Sequence, residues 1–248
     1  MSSAACKSTR VLVLTGLLGL CALEGCVTRQ VAPPAPQPPA ARFVPSPRLG
    51  RPFEVVTAQS RLIVLVYRAG PLAALGHDHV VACRCLTGAV YLPRDPLRAS
   101  FDVHIPVRQL TVDDPALRAA EHSGDFPPDV SPSARHGTRR HMLGATQLNA
   151  ARFPDIRLRS ESLRPSPDGK RGDIIAQVRV ELAGESRSVS VPLHFRIRHD
   201  EIIATGEFPL EQTGLGLTPF SALDGALRVR NRMQVRVRLI AKRQGLSR

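Results

Sequence analysis

The 248-residue sequence contains no tryptophan and only two tyrosines. Proteins that bind single-stranded nucleic acid stack the bases on aromatic side chains beside basic ones. The formal net charge of +13 therefore does not indicate a nucleic-acid-binding protein. The sequence also lacks a Gly-x-Ser-x-Gly elbow, a His-Glu-x-x-His helix and a phosphate-binding loop. We expect no nucleic-acid partner and no enzymatic activity.

The N-terminal apolar run is too short to span a bilayer. Two basic residues precede this run, 11–23, which has the length of a signal-peptide core. It leads into LEGC at 23–26, which resembles the lipobox of bacterial lipoproteins, with Cys26 as the acylated residue. The alternative is an ordinary secretory signal cut elsewhere. Both interpretations predict an exported protein. The lipobox predicts a lipid anchor in the bacterial periplasm, at the outer rather than the inner membrane because Val27 follows the cysteine.

Composition divides the chain into four parts. The signal peptide and lipobox occupy residues 1–26. Residues 27–52 are rich in proline and alanine without hydrophobic periodicity, which is typical of an extended tether. Residues 53–243 have the size of one all-β domain, and 244–248 form a short C-terminal tail. The excess of basic residues is consistent with attraction to anionic phospholipid headgroups.

Alternation of apolar and polar residues predicts an antiparallel β-barrel. Over residues 227–241, every odd-numbered residue except Asn231 is apolar, and most even-numbered residues are arginine. A period of two is that of a strand with one apolar face, and so long a strand is typical of a large barrel. We expect Arg236 and Arg238 on this strand to face water. Similar segments within 61–210 bring the predicted number of strands to about eight.

One insertion separates the predicted strands. Residues 108–150 lack the strand pattern and contain a predicted helical stretch near 132–148, which we interpret as a lid over one barrel mouth. A closed barrel of about eight strands can enclose one elongated ligand. The alternative is a filled core with no cavity. The candidate ligand-binding residues are the inward-facing apolar residues Val103, Ile105, Val178, Val180, Val191, Leu193, Phe195, Phe208, Val235 and Val237.

Several short motifs occur in an order that resembles the YceI-like family. They are GPLAALGHDHVV at 70–81, RRHM at 139–142, RFPDI at 152–156 and LAG at 182–184. The resemblance covers essentially all of residues 58–242. It implies an extended, eight-stranded, lipocalin-like antiparallel barrel, usually periplasmic. The lumen of such a barrel binds a polyisoprenoid chain, such as a polyprenyl quinone, or a related amphiphile. No cofactor beyond this lipid ligand is implied.

Histidines and cysteines near the first predicted strands give a second hypothesis. On a regular strand, His77 and His79 share one face, and Cys83 and Cys85 continue it. Such ligands suit zinc or copper. The alternative function is therefore a metal-binding envelope protein that uses His77 and His79, with His141 supplied by the lid. Ligands along one extended strand cannot surround a single ion, so we favour no metal site. We also favour two buried free thiols over a strained disulfide.

Overall fold

Alternating side chains determine which face of each strand lies inside the fold. A computed structural model of the protein describes residues 50–167 and 169–243. In the strand Asp173–Leu182, every second residue from Ile174 onward is buried, and the residues between them are only partly buried. This confirms the predicted alternation. Residues that pair across neighbouring strands point to the same side of the sheet. The pairing register therefore also determines which side chains of each neighbouring strand face inward.

Most of the described elements are strands. In chain order the strands are β1 (Arg51–Val55), β2 (Arg61–Val66), β3 (Arg68–Ala69), β4 (His79–Cys83), β5 (Thr87–Leu92), β6 (Ser100–Pro106), β7 (Thr111–Val112), β8 (Asp155–Pro165), β9 (Asp173–Leu182), β10 (Glu185–Arg198), β11 (Glu201–Glu211), β12 (Ser221–Ala222), β13 (Leu227–Val229) and β14 (Arg232–Lys242). The α-helices are α1 (Pro115–Ala119) and α2 (Pro132–Leu143). Short 3-10 helices lie at Thr57–Gln59, Ala73–Leu75, Pro96–Arg98, Val107–Gln109, Thr213–Leu215 and Leu223–Gly225. Within the described ranges, no helix has both the length and the apolar character needed to cross a membrane.

Eight strands form a closed barrel in the order β1-β5-β6-β8-β9-β10-β11-β14. Each neighbouring pair in this ring is antiparallel. β14 then pairs with β1, with Val55 opposite Ala241, and this pairing closes the ring. The structure confirms the predicted eight-stranded antiparallel barrel.

Three further strands, β2, β4 and β7, extend from β14 in the same sheet. β2 pairs with β14 over residues 234–238, and β1 pairs with the same strand at 241–242. β1 and β2 therefore share one edge of β14. Ser60 lies between them, and its buried hydroxyl accepts a hydrogen bond from the Ile240 amide at 3.0 Å. This side chain takes the place of a strand partner between the two pairings.

The final strand is shorter than predicted. We expected one strand over residues 227–241, but the structure separates β13 from β14 at residues 230–231. β13 pairs with β12 and β3 in a separate three-stranded sheet. The Asn231 carboxamide accepts a hydrogen bond from the Thr213 amide at 3.0 Å and donates one to the Thr213 hydroxyl at 2.9 Å. These side-chain bonds compete with the strand ladder and account for the break.

The predicted helical lid corresponds to α2. Ser131 caps the first turn by accepting a hydrogen bond from the Ala134 amide at 3.2 Å. The helix ends at Leu143, earlier than the expected end near residue 148. Arg139 connects the helix to the barrel, because its guanidinium donates to two main-chain carbonyls of the segment 108–110 at 2.5 and 3.2 Å.

Candidate functional site

The barrel encloses an apolar cavity with a volume of about 630 Å³. Inward-facing apolar side chains of the strands form most of its wall, and α2 contributes Thr138, His141 and Met142. Volumes of about 300–1,000 Å³ are typical of small-molecule binding sites. The barrel therefore contains a cavity of ligand size rather than a completely filled core.

All ten predicted ligand-binding residues line this cavity. They are Val103 and Ile105 on β6, Val178 and Val180 on β9, Val191, Leu193 and Phe195 on β10, Phe208 on β11, and Val235 and Val237 on β14. Their role in ligand binding stays a prediction. The sequence did not single out Leu62 and Val64 on β2 or Met142 on α2, which also line the cavity.

Ion pairs between neighbouring strands cover part of the outer face. Asp102 on β6 accepts two hydrogen bonds from the Arg157 guanidinium on β8, at 2.9 and 2.6 Å. These bonds hold the pKa of the Asp102 carboxyl below its usual value, although partial burial opposes the shift. Arg159 donates to Glu181 on the next strand at 3.1 Å. The outward carboxylates are therefore partners of arginines on adjacent strands.

Arg236 differs from the predicted water-facing side chain. Its guanidinium donates to both carboxylate oxygens of Glu121, at 3.0 and 2.5 Å, and the Glu121 side chain is only 6% exposed. Arg236 thus holds the segment after α1 against the outer face of β14. Arg238 is exposed, as predicted. Alternation along a strand identifies its outer face but does not show which distant segment covers that face.

Two histidines and an aspartate meet beside the cavity. His79 Nδ1 lies 2.7 Å from Asp113 Oδ2, and His77 Nε2 lies 3.6 Å from the same oxygen. The two imidazole rings meet edge to face, with their centroids 4.6 Å apart. The Asp113 side chain is fully buried, and His79 lines the cavity. One ligand atom from each of the three residues lies within 4.8 Å of the other two.

The chain reaches this geometry because His77 precedes the regular strand. β4 begins at His79, and the buried Asp78 carboxylate accepts a hydrogen bond from the Arg68 amide at 2.6 Å, which fixes the turn before the strand. Asp113 follows β7 with a φ of 54°. The expectation that ligands along one extended strand cannot surround a single ion assumed a continuous strand, whereas His77 lies before β4 and Asp113 comes from another segment of the chain.

A fully buried arginine orients the Asp113 carboxylate. Arg118 Nη1 donates to Asp113 Oδ1 at 2.6 Å, and the Val80 amide donates to the same oxygen at 2.9 Å. Burial acts to raise the pKa of the Asp113 carboxyl, but the two imidazoles and the Val80 amide hold that pKa well below its usual range. Oδ1 is therefore occupied by donors, while Oδ2 faces His77 and His79.

His141 is not part of this cluster. It lines the cavity from α2, and its ring contacts Phe220 edge to face with centroids 4.6 Å apart. The predicted third ligand is therefore wrong, because Asp113 occupies that position beside His77 and His79. Asp113 lies within the insertion 108–150, where the sequence pattern gave no indication of what the segment contacts.

Cys83 and Cys85 form a disulfide. The prediction of two free thiols is wrong because it assumed a regular strand, in which alternate Cα atoms are about 6.5 Å apart. β4 ends at Cys83, and the two Cα atoms are 5.3 Å apart. Both residues are buried in the main core, so neither provides a thiolate for a metal.

Several predictions concern residues outside those that the structure describes. They are the lipid attachment at Cys26, the signal peptide at 1–26, most of the tether at 27–52 and the tail at 244–248. These assignments stay predictions.

Comparison with known proteins identifies the family. A YceI-like domain matches residues 77–241, which is more than half of the chain. BcnA of Burkholderia cenocepacia has a similar structure, with 13% sequence identity and a TM-score of 0.55, covering 76% of this chain and 99% of BcnA. A polyisoprenoid-binding domain from Saccharophagus degradans, implicated in plant cell wall breakdown, has 9% identity and a TM-score of 0.50, covering 77% of this chain and 98% of that domain.

At these low identities the two structures show a shared fold. No match was found among curated proteins. The domain match and the eight-stranded barrel agree with each other: this chain belongs to the YceI-like family.

Proposed function

We propose that the protein binds a polyisoprenoid or a similar long-chain amphiphile inside the barrel lumen. The observation that carries this proposal is the cavity of about 630 Å³ with its almost entirely apolar wall. Family membership supports it, since the similar structure from Saccharophagus degradans is that of a polyisoprenoid-binding domain. The proposal includes neither a cofactor beyond the lipid nor a catalytic step.

The size of the cavity favours a chain of several isoprene units. A water-sized group occupies about 30 Å³, so a cavity of about 630 Å³ accommodates about twenty carbon atoms, or four isoprene units. Burial of one CH₂ group contributes about 0.8 kcal/mol, and a five-carbon unit therefore about 4 kcal/mol. Association costs about 4–15 kcal/mol in lost translational and rotational freedom. Several units are thus needed for net binding by apolar contacts alone.

Mass spectrometry of organic extracts tests this function. The purified protein is expected to release a long-chain isoprenoid lipid. Two adjacent substitutions provide a matched comparison, because Val237 lines the cavity and Arg238 is exposed. Val237→Gln places an amide in the apolar wall and should reduce the bound lipid, whereas Arg238→Gln should retain it. Equal lipid content in the two variants, or no long-chain lipid in the wild type, would contradict the proposal.

We further propose that the N-terminus anchors this barrel in the periplasm, at the outer membrane. The apolar run 11–23 and the lipobox-like LEGC at 23–26 support this assignment. A single acyl chain binds a membrane only weakly, and stable anchoring takes two signals, such as two acyl chains, or one chain together with a basic segment. The proline-rich tether, 27–52, would separate the anchor from the barrel.

Replacing Cys26 with serine is expected to move the protein from the membrane fraction to the soluble periplasmic fraction. The reason is that the acyl chains, rather than the barrel, hold the protein at the membrane. Cell fractionation with immunoblotting measures the change, and Cys21→Ser, in the same apolar segment, serves as the control. A Cys26→Ser protein that still sediments with membranes, together with a wild type that lacks acyl groups, would refute the anchor.

A further inference from the structure

The cluster beside the lumen contains an unsatisfied polar atom. Within the part of the chain that the structure describes, the buried His77 Nε2 has no hydrogen-bond partner. It lies 3.6 Å from Asp113 Oδ2, which is too far for a hydrogen bond. That oxygen is also in contact with His79 Nδ1 at 2.7 Å. Buried polar atoms in proteins are normally paired, and exceptions call for an explanation such as a bound ion.

We propose that His77, His79 and Asp113 bind a divalent transition-metal ion, with zinc as the representative ion. The ligand atoms are His77 Nε2, His79 Nδ1 and Asp113 Oδ2. Zinc binds imidazole nitrogen and carboxylate oxygen at about 2.0–2.2 Å, so two tetrahedral ligands lie about 3.3 Å apart. The distance of 3.6 Å between His77 Nε2 and Asp113 Oδ2 already fits this value. The distance of 2.7 Å between His79 Nδ1 and Asp113 Oδ2 has to lengthen by about half an ångström.

The neighbouring donors prepare Asp113 for this role. Arg118 and the Val80 amide both donate to Oδ1, at 2.6 and 2.9 Å, and leave Oδ2 for the ion. Such contacts fix the orientation of a metal-binding carboxylate. For Nδ1 of His79 to present a lone pair to the metal, the imidazole has to take the tautomer that carries its hydrogen on Nε2.

The donor set determines the class of ion. Two imidazoles and one carboxylate suit zinc, copper, nickel or iron, and they do not favour calcium or magnesium, which prefer oxygen ligands. Three protein ligands leave one coordination position for water or another ligand, as in open zinc sites. Because His79 also lines the lumen, the bound ion would lie beside the cavity wall. This site is independent of the lipid that we propose for the lumen.

Isothermal titration calorimetry with zinc chloride tests the site, using full-length protein that has first been dialysed against a chelator. His77→Gln is the informative variant, because the His77 Nε2 atom makes no hydrogen bond within the described residues and the side chain is 29% exposed. We expect His77→Gln to weaken zinc binding by at least about 10–100-fold, because the loss of a group that only orients a metal ligand already has an effect of this size. Asp113→Asn should act in the same direction. Circular dichroism establishes that each variant is folded.

His194→Gln is the matched control. His194 Nδ1 lies 2.6 Å from Asp173 Oδ1, in a comparable imidazole–carboxylate pair. That pair is outside the three-ligand cluster, so its loss should leave zinc affinity unchanged. Any other zinc-binding cysteine or histidine in the chain is present in the wild type and in His77→Gln alike, so it does not account for a difference in affinity between them. If folded His77→Gln binds zinc as tightly as the wild type, or if His194→Gln weakens binding equally, the proposed site is wrong.

Discussion

Replacing Val235 with arginine is expected to prevent the barrel from folding and to abolish lipid binding. Val235 is 6% exposed, lines the cavity, and lies opposite Phe208 on β11 and Val64 on β2. An arginine here would place a guanidinium among apolar side chains. A charge buried without a partner costs several kcal/mol, against a total stability of about 5–15 kcal/mol for a typical domain. Soluble yield, thermal unfolding by circular dichroism and organic extraction measure the effects.

Arg238→Ser is the control for this substitution. Arg238 lies on the same strand but its side chain is on the exposed outer face. The free energy of unfolding should change by no more than about 0.5 kcal/mol, as for most surface substitutions, and bound lipid should be retained. A Val235→Arg protein that unfolds like the wild type and still carries lipid would show that Val235 does not lie in an apolar lumen.

Replacing Arg118 with methionine is expected to lower the free energy of unfolding by about 3–5 kcal/mol. Arg118 is completely buried and donates to Asp113 Oδ1 and to the Pro127 carbonyl, both at 2.6 Å. Methionine fills much of the same volume with an unbranched side chain. It leaves the Asp113 carboxylate buried without its arginine partner, and the loss of this buried charge pair accounts for most of the decrease. Urea denaturation of the wild type and the variant measures the difference.

Arg187→Met provides a comparison with an exposed ion pair. Arg187 Nη2 lies 2.8 Å from Glu185 Oε2, and both side chains are about half exposed. Surface pairs contribute at most about 1 kcal/mol, because solvent screens the charges. We therefore expect a small change in the urea midpoint. If Arg118→Met and Arg187→Met have equal effects, the buried Arg118–Asp113 pair contributes no more to stability than a surface pair.

The barrel strands could be predicted because one-sided burial imposes a local period of two. Along β9 the buried residues follow this period without interruption, and the inward residues chosen from it line the cavity. β1 was not predicted, because five residues with only Phe53 buried give too short a pattern next to a proline-rich segment. The final strand was predicted too long because Asn231 ends it through side-chain bonds to Thr213, which periodicity does not reveal.

The polar cluster could be predicted only in part. The spacing of His77 and His79 identified two residues of the cluster. Asp113 and Arg118 were not identified, because they come from an insertion without a repeating pattern. Their positions depend on contacts between segments that are 33 and 40 residues apart in the chain. The Cys83–Cys85 disulfide was missed for a related reason, since it forms where a strand that looks continuous in the sequence ends.

Fluorescence from a single indole in the lumen tests the central claim, that the cavity holds a long-chain lipid. The sequence contains no tryptophan, so Phe195→Trp places one emitter at the cavity wall. Arg196→Trp places the same emitter on the next residue of β10, which is exposed. Both proteins are titrated with a polyprenyl quinone. The account predicts blue-shifted emission and a saturable change for Phe195→Trp, with neither for Arg196→Trp. A folded Phe195→Trp protein whose emission does not respond to the quinone or to any other long-chain lipid would contradict it.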